Sequence, residues 1–253
     1  MKKLTLLCLV LLAQTYFISA QEIAGVSEPD PSIIIQRPNV VKINSLAIAF
    51  SNASFIYERA IRPRLSVALG IGYKFTGSEP NIFTVNNSVI SANLGKIKGI
   101  SITPELRYYL RTCDASTLEG FYGGLYFRYN RNWTDAQFDY FPENSPAETS
   151  TSEIALREFG VGIELGYQIL IKERLSIDFL FFGPRFSSYT LNYAFDQTSS
   201  DQFIGDLSDY LNEVADRFGF DYDIDIKKEG QKDLRTSFGF MNMRFGLSLG
   251  YAF

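Results

Sequence analysis

From residue 40 onward, apolar residues recur at every second position through most of the chain. The last stretch, Thr236 to Phe253, is the clearest: Met241, Met243, Phe245, Leu247, Leu249, Tyr251 and Phe253 form one row, and Asn242, Arg244, Gly246, Ser248, Gly250 and Ala252 form the other. A period of two belongs to a strand, whose successive side chains point to opposite faces. The polar row is rich in Gly and Ser rather than Lys and Glu, as expected of a face packed into a narrow interior. The same pattern appears in Leu65 to Phe75, Gly99 to Arg111, Phe121 to Trp133 and Ile154 to Ile171.

These segments predict about eight strands. Val40 to Phe50 slips phase at Ser45, so a bulge is expected there. Pro104 cannot donate to a sheet ladder, which predicts irregular pairing around it. Phase is lost again near Gly183-Pro184, where a second bulge is expected. Short connections at 62–64, 112–119 and 172–174 alternate with long ones at 76–98, 134–153 and 194–235, apart from a tight one at 51–52. Within the last long connection, Phe203, Ile204, Leu207, Tyr210, Leu211, Val214 and Phe218 recur at helical spacing. They predict a short amphipathic helix over 203–218, with Ser199 and Gln202 as a capping box.

The pattern predicts an all-β fold, a transmembrane antiparallel up-and-down β-barrel over 40–253, because only such a barrel wants apolar residues outside and a polar lumen. Composition sharpens this. Aromatic residues make up 15% of the chain, with 22 Phe and 15 Tyr, as interface girdles require, and the mean hydropathy of -0.02 is unlike a helical membrane protein. Lys2, Lys3 and the apolar run Leu4 to Ala13, followed by Ser19-Ala20, read as a signal peptide over 1–20. Residues 21–39 read as a periplasmic lead, and the expected location is the outer membrane. Cys8 lies inside the apolar run, which argues against lipidation. Cys113 then stands alone, so no disulfide is expected.

The alternating segments VKINSLAIAF, FIYERAI-RPRLSVALGIGYKF, ITPELRYYL, FYGGLYFRY, FGVGIELGYQILIKERLSIDFLFFGP and RFGLSLGYAF resemble an uncharacterised family of small outer-membrane β-barrel proteins of Gram-negative bacteria. The resemblance runs from Val40 to Phe253 apart from the loops. It implies the barrel and brings no catalytic residues.

On this reading Phe121, Phe127, Val161, Leu165, Phe245, Leu247, Leu249, Tyr251 and Phe253 face lipid. Glu58, Lys74, Glu105, Arg107, Arg128, Glu158, Glu164, Asp178 and Arg244 face inward as a charge network. A pair such as Glu105 and Arg107 could transfer protons, but mixed charges in a narrow lumen are expected to neutralise one another and close it. The chain has no histidine, which disfavours hydrolase chemistry and removes the commonest metal ligand. Asp221, Asp223 and Asp225 lack the glycine and glutamate of a calcium loop, since Ile226 and Lys232 stand there. GVGIELG lies in mid-strand, not before a helix, so it is no phosphate cradle. No metal, cofactor or catalytic residue is expected.

The net charge of -4 gives no reason to expect nucleic acid. The expected partners are outer-membrane lipid, the barrel-insertion machinery through the C-terminal strand, and a surface protein through the acidic loops 134–153 and 194–235. The 203–218 helix is expected either to cap the barrel or to bind a partner, and Trp133 to anchor at the membrane interface. The expected role is structural or surface-binding, with a narrow solute channel as the alternative. A soluble lipocalin-like barrel would instead need an apolar interior.

Overall fold

A computed structural model of the chain describes residues 36–49, 51–77, 89–111, 118–142, 146–195, 199–217, 225–226 and 233–253. The expected signal peptide 1–20, nearly all of the lead 21–39, Phe50, Cys113, Asp221, Asp223 and Phe218 lie outside the described residues. The elements in chain order are β1 (Asn39–Asn44), α1 (Ser45–Ala49), β2 (Asn52–Arg62), β3 (Leu65–Gly77), β4 (Ile90–Leu94), β5 (Ile97–Arg111) and β6 (Gly120–Tyr140). They continue with β7 (Glu148–Ile171), β8 (Leu175–Phe182), β9 (Pro184–Phe195), α2 (Asp201–Arg217), β10 (Asp225–Ile226), β11 (Asp233–Met243) and β12 (Gly246–Ala252).

Eight of these strands form a ring in the order β1-β2-β3-β5-β6-β7-β8-β12, every neighbour antiparallel. The ring closes where the first strand meets the last, with Val41 opposite Tyr251 and Ile43 opposite Leu249. Asn39 and Phe253 exchange backbone hydrogen bonds at 3.2 and 2.9 Å. This end of the ring carries the tight turns. The β7–β8 connection is the three residues 172–174, in which Lys172 and Glu173 take φ 52° and 56° and the Arg174 N–H donates to the Ile171 carbonyl at 3.2 Å, the two successive left-handed residues of a type I′ turn.

At the other end the ring is incomplete. β1 stops at Asn44, whose Oδ1 accepts the Ala47 N–H at 2.9 Å and so caps the one-turn helix α1. The phase slip at Ser45 is therefore a helix rather than a bulge. Beyond it β11 pairs with β9 and β10, not with β2. β9 continues the path of β8 along β7 after a true bulge: Leu165 faces Phe182 but Gly166 faces Leu180. Phe181 and Phe182 both point outward as a result, and the phase of all that follows is reversed, which turns Arg185 inward. Around Pro104, β5 and β6 lose pairing between Ile102↔Tyr129 and Glu105↔Tyr126 without changing register.

Two expected loops contain strand. β6 and β7 stay paired out to Tyr140↔Glu148, so 134–140 and 148–153 are strand, and 76–98 contains β4, which pairs with this extension of β6. The reason is a reversal of polarity along one continuous strand. Near the turns, β6 exposes Leu125, Phe127 and Tyr129 and buries Tyr122 and Tyr126; farther along it buries Ala136, Phe138 and Tyr140 and exposes Asp135 and Gln137. β9 does the same, exposing Phe186 low down and burying Tyr193 and Phe195 above. The inward side stays inward while its chemistry changes.

The top of the apolar interior of the extension is filled by α2. Phe203, Ile204 and Leu207 are buried in a cluster with Ile90, Ala92, Phe138, Tyr140, Tyr193 and Phe195, and Phe203 lies 5.3 to 5.8 Å from the rings of Tyr140, Phe195 and Phe138. The helix begins one residue later than the expected capping box. Ser200 Oγ accepts the Phe203 N–H at 3.1 Å, while Ser199 hydrogen-bonds Ser150 across the interior.

Candidate functional site: a buried charge network and the cavities beyond it

The inward row of the ring supplies the charges. On β1, β2, β5, β7 and β8, Lys42, Glu58, Glu105, Arg107, Glu164, Gln168 and Asp178 are each at most 4% exposed. Alternation places them there; the small residues between them make the room. A Cβ on Gly166 would lie 2.3 Å from the Tyr122 phenol and one on Gly162 would lie 2.7 Å from the Tyr126 ring, so the two tyrosines occupy space that glycines of β7 leave.

Arg107 is the hub. Its guanidinium reaches Glu105 at 2.5 Å, Asp178 at 2.8 Å, Glu164 at 3.1 Å and Glu58 at 3.3 Å, and it lies 4.5 Å from the Tyr122 ring centre. Lys42 donates to Glu58 at 2.5 Å, to Asp178 at 2.6 Å and to Gln168. Gln168 in turn donates to the Leu118 carbonyl at 2.6 Å. Tyr109 and Ser66 donate to Glu58 at 2.7 and 2.5 Å, and Tyr122 to Asp178 at 2.7 Å. Arg244 joins from β12's approach, 2.7 Å from Glu105 and 3.2 Å from Glu164. A buried ion cluster is tolerable only when its lone pairs and protons are met in this way.

A second layer lies toward the extended end. Glu158 takes Arg185 at 2.6 Å and Arg128 at 3.7 Å, and Ser187 at 2.8 Å. The expected network residues Glu58, Glu105, Arg107, Glu164, Asp178 and Arg244 thus meet in one cluster, and Glu158 and Arg128 in the next. Lys74 stands farther along, lining the cavities beyond them. Sequence reading left two members out. Lys42 sits on the polar row of β1 and was legible by parity alone; Arg185 follows the bulge expected from the loss of phase at Gly183-Pro184, and only the register shows to which face it turns.

Of the residues expected to face outward, Phe127, Val161, Phe245, Leu249, Tyr251 and Phe253 are exposed, and Phe121, Leu165 and Leu247 are half-buried. Trp133 is half-buried, with Arg131 5.9 Å from its ring centre. Among the described residues no group of His, Cys, Asp and Glu is arranged to hold a metal ion, and no described helix is long and apolar enough to cross a membrane.

Fold and interior define an all-β protein: an antiparallel sheet with a partly closed ring of eight strands around buried salt bridges. Over residues 6–206 the chain matches the family described as "Protein of unknown function (DUF3575)", and it belongs to that family. No curated protein and no solved structure matches it.

Proposed function

We propose that the chain is an outer-membrane β-barrel whose lumen is closed by the Arg107 network and whose extended, water-facing end carries a binding role, without catalysis. The observation that carries the membrane placement is the girdle. Val41, Phe55, Leu69, Ile102, Phe127, Val161, Phe179 and Leu249 stand on eight successive strands of the ring and are all exposed. Soluble monomers rarely expose contiguous apolar patches beyond a few hundred Å². On β3 the band runs from Val67 to Phe75, about the nine to eleven residues a tilted strand needs to cross hydrocarbon. On β6 and β7 it ends at Arg131 and Arg157.

The closed lumen supports a structural or binding role over a channel. At the level of Arg107 the cross-section is filled by paired side chains, as an eight-stranded ring permits. The outward acids of the extension, Asp135 and Glu153, supply a charged surface for a partner. Fractionation with a heat-modifiable gel shift tests the placement: recovery in the outer-membrane fraction as a compact, heat-shifted band is expected, and recovery of folded chain in the soluble fraction would overturn it. Planar-bilayer recordings test closure, with no steady conductance expected.

A further inference from the structure

We propose that the extended end of the ring binds an amphiphile with one apolar chain and one carboxylate head. This goes beyond the membrane placement and rests on the interior alone. α2 fills the top of the apolar extension, but between it and the charge layers there remains a cavity of about 260 Å³ bordered by Leu94, Ile97, Phe138, Ile154, Leu156 and Leu191. Engineered apolar cavities of about 150 Å³ already stay dry and take up a small hydrocarbon. The apolar side chains line one part of this larger space and suit a flexible chain, while Asn130, Asn132, Thr134 and Glu158 line its polar end.

The polar end of that space holds Lys74 and Glu158 and adjoins a cationic cavity. Lys74 borders the apolar cavity and also two polar ones of about 340 and 130 Å³. The larger of these is lined by Arg128, Arg185 and Arg244 as well. The carboxylates facing this group are Glu158 and, through Arg244, Glu105 and Glu164. Glu158 is engaged mainly by Arg185, at 2.6 Å, and Arg244 is held at 2.7 and 3.2 Å. Arg128 is the loosely engaged cation, 3.7 Å from Glu158 and 3.5 Å from the Thr103 hydroxyl. Apolar walls ending on a cluster where basic side chains outnumber acids favour an apolar ligand with a single negative end, since a charge-assisted pair with a guanidinium fixes the head while burial of the chain supplies affinity.

The test uses the full chain refolded in bilayer nanodiscs, with empty nanodiscs as the blank. cis-Parinaric acid is the probe and Trp133, the single tryptophan, the energy-transfer donor. Saturable one-site uptake above the blank is expected, displaced by dodecanoic acid at least tenfold more effectively than by dodecanol. Leu191→Phe, which narrows the chamber, should weaken both ligands at least fivefold. Arg128→Gln should bring the acid down to the alcohol while leaving the alcohol unchanged, and Arg128→Lys should keep the preference. Each variant is first required to show the wild-type heat-modifiable mobility. Uptake that only parallels the blank, equal displacement by acid and alcohol, or unchanged binding in Leu191→Phe would each overturn the proposal. Failure of the chain to co-elute with nanodiscs counts against the membrane placement instead, and the same titration is then run on the refolded chain in buffer.

Discussion

Arg107 gives the sharpest test of the interior. Its cluster holds four carboxylates, Glu58, Glu105, Glu164 and Asp178, against three cations, Lys42, Arg107 and Arg244. Arg107→Gln keeps much of the volume and removes the one charge that touches all four acids. Breaking a buried pair from one side costs about 3–5 kcal/mol, because the partner is left charged and uncompensated. At roughly 2–4 °C per kcal/mol for a domain of this size, the compact form should melt about 6–20 °C lower. Adding Asp178→Asn to Arg107→Gln leaves three acids against two cations, the native excess of one, and should recover part of the loss even though Asp178 itself contributes bonds to Lys42 and Tyr122. The assay is urea or thermal unfolding in lipid, followed by the gel shift of the compact form. A single variant within about 1 kcal/mol of wild type, or a double variant that is simply additive, would refute a dry, charge-balanced cluster and favour a water-filled one.

Further outcomes follow from the same geometry. Gly166→Ala drives a methyl group into the Tyr122 phenol and the Phe179 carbonyl, at 2.3 and 2.7 Å, and should cost about 1–3 kcal/mol in the same assay. Val161→Lys places a charge on the girdle and should cost about 2–4 kcal/mol in a bilayer if the band faces lipid near its midplane, but almost nothing if it faces water. Phe203→Ala should release α2 without melting the ring, at about 3–5 kcal/mol of local packing, read as faster proteolysis within 199–217. Burial, and then the hydrogen bond to Asp206, push the Tyr140 phenol up to about 12. A phenol raised above its unfolded value near 10 stabilises fully below that pH and loses its contribution as pH rises through about 12. The α2 contact should therefore loosen between about pH 10 and 12 in hydrogen exchange, and Tyr140→Phe should erase that step.

Strand existence, inward parity and the helix were legible in the sequence because each depends on a local period. Leu247, Leu249 and Tyr251 against Ser248 and Gly250 state a two-sided strand without any neighbour being known. Inward residues such as Glu105 and Arg107 follow by parity once one face is recognised as apolar. The extension was not legible in this way. Residues 134–153 looked like an acidic loop because the apolar row had changed sides, and a strand that exposes Asp135 and Gln137 while burying Ala136 and Phe138 contradicts a single lipid-facing pattern.

The chain's own order of residues therefore fixed the period, the sign of each face and the supply of charges, all of which are set by backbone geometry over a few residues. What only the assembled ring decided is which charges meet, because Arg107 gathers carboxylates from β2, β5, β7 and β8 that are up to 71 residues away along the chain. The face to which the expected bulge turns Arg185, the helix that ends β1 at Asn44, and the space left between α2 and Lys74 belong to the same class. They arise from register and packing between distant strands, and a one-residue slip in either would send the same side chains to the opposite face.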